Sequence, residues 1–186
     1  MAEGPFLRHP SLPISLRASA AVIAYSHLEE LHADLSSGHN IRSTVFLEAR
    51  SMYRPDGPVA MRPVGEVEFV QGLAAASASG IYGPSRAAAA IIGHADLKLG
   101  ANVAPVLDAL QAASPNRFRG IRYNVTCSPD PAVDNRESEG ILANATFREG
   151  AKVLSQKGWS LDVMIAFPQM PEVADFARAC RSCRSF

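Results

Sequence analysis

Cysteine is scarce in this chain, three in 186 residues. Three thiols cannot form a closed disulfide framework, so a reducing, cytoplasmic setting is expected. Excess charge of either sign is also absent, since 18 basic residues balance 18 acidic ones and the pI is near 7.0. Tracking phosphates by counterion release needs clustered positive charge, so nucleic acid is not expected as a partner. No apolar run approaches the roughly 20 residues that span a bilayer, and no membrane association is expected. Nucleotide and nucleophile signatures are missing too. No G-x-G-x-x-G opens a helix after a strand, no Walker sequence occurs, and no G-x-S-x-G elbow is present. None of the five histidines forms an H-x-H pair. His27 and His32 bracket LEEL at an offset of five, which turns their rings away from the shared face that a zincin helix needs at i, i+4.

What is present is an apolar fraction of 47% against 19% charged residues, the balance of a chain that folds around a core. Residues 1–24 read as an irregular lead-in: Pro10 and Pro13 precede an apolar stretch at 18–25 that is flanked by Arg17. Beyond it the hydrophobic period alternates regularly between two kinds of segment. Residues 27–37 (HLEELHADLSS) carry Leu28, Leu31 and Leu35 at helical spacing, and 41–49 (IRSTVFLEA) read as a strand. The loop at 50–62 contains Pro55-Asp56-Gly57-Pro58, a turn signal built from a fixed φ, an Asx acceptor and a permissive glycine. A helix over 63–80 follows, with Pro63 in its first turn.

The unit then recurs. Strands are expected at 88–94, at 118–124 (FRGIRYN) and at 160–167 (SLDVMIAF), and helices at 101–114, 147–157 and 171–179. Strand starts are spaced by 45, 30 and 42 residues, each right for one strand, a crossover helix and their loops. Strictly alternating elements of this kind demand a parallel sheet covered by helices, either open and doubly wound or part of a (β/α)8 barrel.

In either closure, ligands gather at the carboxyl ends of the strands. The candidates there are Glu48 with Arg50, His94 with Asp96, Arg122 with Tyr123 and Asn124, and Phe167 with Gln169. Strand alternation places apolar Ile121 toward the helices and therefore Arg122 on the opposite face. A guanidinium there needs an anion, either a neighbouring carboxylate such as Glu48 or a substrate carboxylate or carbonyl that fits the Arg fork. The C-x-x-C at Cys180–Cys183 has no second ligand pair nearby and reads as solvated tail.

The stretches SGHNIRSTVFLEARSMYRPDGP (37–58), PVGEVEFVQGLAAASASGIYGP (63–84), IIGHADLKLG (91–100), FRGIRYN (118–124), FREGAKVLSQKGWSLD (147–162) and PQMPEVADFARA (168–179) together resemble the amidohydrolase-related family. The similarity is to its branch of TIM-barrel metal-dependent hydrolases that includes sugar-lactone and dicarboxylate-lactone hydrolases. It implies an α/β fold, a partial (β/α)8 TIM barrel of about four consecutive β/α units. It divides the chain into the lead-in at 1–24, the family-like domain at 25–179 and a non-family tail at 180–186 that reads like a shifted reading frame.

The resemblance further implies hydrolysis of a lactone or amide by an activated water, with a divalent metal, zinc or manganese, as the family's cofactor. The family's H-x-H and closing Asp are missing here, so no metal ligand and no catalytic residue is assigned and turnover is expected to be impaired. The matched residues belong to the substrate-binding half of the pocket. Arg122 would hold the carboxylate or carbonyl of a small-molecule substrate, His94, Tyr123 and Gln169 would orient it, and Glu48 would pair with a cation or polar group. Tyr123 stands where the family commonly has His. The alternative is a catalytically inactive, truncated chain that self-associates or assembles with another chain, since an unclosed barrel leaves open sheet edges.

Overall fold

The computed structural model describes residues 28–128 and 138–180. The lead-in at 1–24, most of the tail at 180–186 and Cys183 lie outside the described residues.

β1 and β2 form where β-branched or small apolar residues run between turn residues, and the helices where apolar residues recur every third or fourth position. The order is α1 (Leu28–Leu35), β1 (Ser43–Leu47), α2 (Val64–Ala78), β2 (Arg86–Gly93), α3 (Ala104–Ala113), β3 (Phe118–Asn124), α4 (Ala145–Gln156), β4 (Ser160–Met164) and α5 (Met170–Ala179). All strand pairs are parallel and the sheet order is β1-β2-β3-β4, so every strand pairs with the next along the chain. The result is an α/β fold whose four-stranded sheet curls into a half-barrel.

Apolar residues explain the layering. Ile91 and Ile121 on the sheet and Val67, Leu107 and Leu110 on α2 and α3 are fully buried together. Tyr123 meets Phe147 of α4 edge to face at 5.0 Å, which places it on the helix-covered side. α4 is N-capped by Asn144, whose side chain accepts from the Phe147 N–H at 3.0 Å and satisfies one of the orphan donors of the first turn. The other face of the sheet is open: Val45 and Leu47 on β1 and Met164 on β4 are 56%, 39% and 46% exposed.

Three departures from the sequence pattern shape the sheet and the end of the described chain. β2 begins at Arg86, two residues early, and holds a bulge: Ser43 pairs with Arg86 but Val45 with Ala90, so β2 carries two extra residues. Ala88 in that bulge has φ 46, a strained value for a residue with a Cβ. Side chains over-determine it, because the Ala88 N–H donates to Thr44 Oγ1 at 3.0 Å and the Ala87 N–H to Ser77 Oγ at 2.9 Å. Second, β4 ends at Met164 rather than 167, because a 3₁₀ turn (Phe167–Gln169) containing Pro168 takes over. Third, Cys180 is buried in the core and not part of a solvated tail; its N–H caps α5 by donating to the Phe176 carbonyl at 2.9 Å. Among the described residues no helix is long and apolar enough to cross a membrane.

Candidate functional site

β1 ends at Leu47, and the next residue, Glu48, stays tied to the sheet by its N–H, which donates to the Ile92 carbonyl at 2.9 Å. β2 ends at Gly93, so His94 leaves the sheet beside it. Parallel pairing therefore brings Glu48 and His94 to one rim although 46 positions separate them. Glu48 Oε1 is 3.9 Å from His94 Nδ1 and 3.4 Å from Arg50 Nε. The same His94 Nδ1 lies 3.2 Å from the Arg122 carbonyl, and its ring leans on Tyr123 with centroids 5.4 Å apart.

That carbonyl selects the tautomer. Nδ1 carries the proton and donates to it, which leaves Nε2 as the lone-pair nitrogen. Nε2 has no hydrogen-bond partner among the described residues. Burial lowers the His94 pKa from 6.5 more than the Arg122 carbonyl and the Glu48 carboxylate raise it, so the ring is neutral at neutral pH. Beside it, Tyr123 donates its hydroxyl proton to Asp96 Oδ1 at 2.9 Å, and Asp96 in turn caps the following 3₁₀ segment by accepting from the Lys98 N–H at 3.0 Å. Burial, with Asp96 adding to it, pushes the Tyr123 phenol pKa up, so it remains a donor.

Arg122 reaches the rim through its backbone, while its side chain lies on the open face of the sheet, as alternation predicts. Its carboxylate neighbour is Asp162 rather than Glu48: Arg122 Nη2 is 2.6 Å and Nε 2.8 Å from Asp162 Oδ2. β4 supplies that partner because Arg122 and Asp162 share one rung of the β3–β4 ladder. Gln169 stands elsewhere. It is buried, and its amide bridges backbone: Oε1 accepts from the Cys127 N–H at 2.8 Å and the Ala166 N–H at 3.0 Å, and Nε2 donates to the Val125 carbonyl at 2.8 Å. The structure thus brings Glu48, His94 and Tyr123 together. It leaves the Arg122 guanidinium on the sheet face and uses Gln169 to clasp the turn after β4 to the exit of β3.

Two residues of this rim are not evident from strand ends. Glu66, in the first turn of α2, is 0% exposed, and its Oε1 accepts from the Ala49 N–H at 3.2 Å, the Ser51 N–H at 2.8 Å and the Ser51 hydroxyl at 3.2 Å. Those bonds hold a loop in which Arg50 and Met52 both have positive φ, 55 and 52. The loop passes so close to α2 that a Cβ on Gly65 would fall 2.6 Å from the Met52 carbonyl oxygen. Burial pushes the Glu66 carboxyl up from 4.5 to about 6 against the pull of the loop donors. Its Oε2 and the hydroxyl of Tyr53 are both buried without a hydrogen-bond partner among the described residues. Burial, then the charges of Glu66 and Glu48, push the Tyr53 phenol pKa up. The signal for Glu66 was available: an acid at 66 sits on the same i, i+4, i+8 stripe as buried Val70 and Ala74.

A divalent metal needs about three converging protein ligands at a catalytic site. Among the described residues no three His, Cys, Asp or Glu side chains stand close enough to share one, and the Glu48–His94 pair alone does not fit the group. Comparison of the chain with family models, with curated proteins and with solved structures finds no match.

Proposed function

We propose that the chain is a small-molecule hydrolase of the amidohydrolase-related kind, built from consecutive units of a (β/α)8 barrel. It would open a lactone, or cleave an amide, with His94 as general base. One observation carries this reading: His94 spends Nδ1 on the Arg122 carbonyl with Glu48 alongside, and keeps a neutral ring whose Nε2 is unpartnered among the described residues. Such a nitrogen can take a proton from water as the water oxygen adds to the substrate carbonyl carbon. The ring C–O bond then breaks, and the proton on Nε2 passes to the departing alkoxide oxygen. Arg50, beside Glu48, contributes positive charge at the rim, and the Arg122–Asp162 pair offers a guanidinium edge to a substrate carboxylate.

The test is ring opening of a panel of γ- and δ-lactones, followed by pH-stat. Activity should rise with pH through a value below 6.5, the ordinary histidine pKa, and stay flat above it. His94→Gln should lower kcat by about 10²-fold or more, the scale of a general-base contribution. Absence of turnover on every lactone and amide, or full activity in His94→Gln, would overturn the reading.

The exposed Val45, Leu47 and Met164 favour a second reading, a non-catalytic half-barrel that assembles with another copy of itself. Sedimentation equilibrium separates the two, since a monomer at micromolar concentration removes the second.

A further inference from the structure

The amino end of the sheet, opposite the rim of Glu48 and His94, carries a cleft of about 300 Å³ between α2, the start of β2 and the turn before β3. Its room comes from small side chains. Ala74 and Ala78 of α2 face Ala87 and Ala89 of β2, where ordinary core residues would fill the gap. The β2 bulge shapes it, since Ala87 and Ala89 flank the strained Ala88, with the Ala87 N–H held by Ser77 and the Ala88 N–H by Thr44. Strain kept in place by several side chains marks positions where backbone shape serves a purpose beyond pairing.

The polar part of the cleft is one-signed. Arg86, Arg117 and Asn116 complete its lining, and no acidic residue does. Arg86 donates to the Pro84 and Ser85 carbonyls at 3.3 and 3.5 Å, and Arg117 to Gln71 Oε1 at 3.1 Å. These partners are neutral, and among the described residues neither arginine is ion-paired. Two uncompensated guanidiniums over an alanine floor match one ligand chemistry: an oxyanion to take the N–H forks and a small apolar body to lie on the alanines.

We propose that this cleft binds a small organic carboxylate. It does so independently of any chemistry at the opposite rim. Isothermal titration at low ionic strength tests it, with benzoate as the carboxylate probe and inorganic phosphate as the probe for charge alone. Benzoate should bind saturably, and more tightly than phosphate. Arg86→Gln and Arg117→Gln should each weaken benzoate at least five-fold, because each removes one charged donor set. Ala78→Leu, a substitution at an exposed helix position, should abolish benzoate binding by filling the cleft while far-UV circular dichroism stays unchanged. Ala89→Leu fills the cleft from the sheet side and should do the same. No saturable benzoate binding, binding unchanged in both arginine variants, or phosphate binding as tightly as benzoate would overturn the proposal. So would benzoate binding that survives both leucine substitutions.

Discussion

Arg122 and Asp162 face each other on one rung of the β3–β4 ladder, with Nη2 and Oδ2 2.6 Å apart on the face of the sheet that none of the described helices covers. Two adjacent N–H groups of one guanidinium converge on a single carboxylate oxygen. The pair is partly exposed, so water screens it. A double-mutant cycle with Arg122→Ala and Asp162→Ala should give a coupling of about 0.5–1 kcal/mol in urea unfolding, shrinking in 1 M salt. Coupling of zero would contradict this expectation.

Glu66 makes stability depend on pH in a direction opposite to that of a salt-bridged acid. Its folded pKa is raised to about 6 from 4.5, so the native state binds more protons than the unfolded chain between those values. The contribution is fully present below 4.5 and is lost as pH rises through about 6. Glu66→Gln keeps an acceptor for the loop and removes the buried charge. At pH 7 it should stabilise the protein by about 1–2 kcal/mol and flatten the profile between pH 4.5 and 7, measured by urea unfolding across that range. Glu66→Leu should instead release the Ala49 and Ser51 amides to rapid hydrogen exchange.

Gln169→Leu keeps the volume but removes the partner that the wild-type amide gives to two backbone N–H groups and one carbonyl. Unpaired buried groups cost about 1–3 kcal/mol each, moderated where water can enter. A loss of roughly 3 kcal/mol in chemical unfolding is expected. Gln169→Glu keeps both acceptor roles but buries a carboxyl against the Val125 carbonyl, so its loss should grow as pH rises and that carboxyl ionises.

Gly65→Ala places a methyl group 2.6 Å from the Met52 carbonyl and 2.8 Å from the Arg54 N–H, both backbone and both unable to step aside alone. The β1–α2 loop should lift off α2, with exchange protection falling at Ala49 and Ser51 while that of β3 is retained. A crystal structure of the variant with the loop unmoved would contradict this.

How much of this was legible from residues alone depended on whether the cause was local. The strand at 118–124 agrees to the residue, because Phe118 follows a turn and the residues from Ile121 to Asn124 alternate regularly beyond the register shift at Phe118–Gly120. That alternation also placed Arg122 on the open face. Its partner was not legible, because which rung of β4 lies opposite depends on register, and register is set by packing across two helices. The β2 bulge was hidden for a related reason: a run of alanines has no alternation for an insertion to interrupt. Gln169 was identified as a polar residue after a strand, yet a side chain there can point to a ligand or to backbone, and only the position of Val125 decides between them. Glu66 lay on a readable stripe, but an acid in the first turn of a helix is ordinarily explained by the helix dipole alone.

The strictly sequential pairing of the strands has a consequence for how the chain acquires this shape. Each β/α unit finds its sheet neighbour in the segment synthesised just before it, so no strand waits for a distant one. A nascent chain can lay down the first strand pair while later units are still in the ribosome, and each arriving helix seals the pair beneath it. Refolding from denaturant should therefore show early protection in β1 and β2, whose partnership needs nothing beyond residue 93.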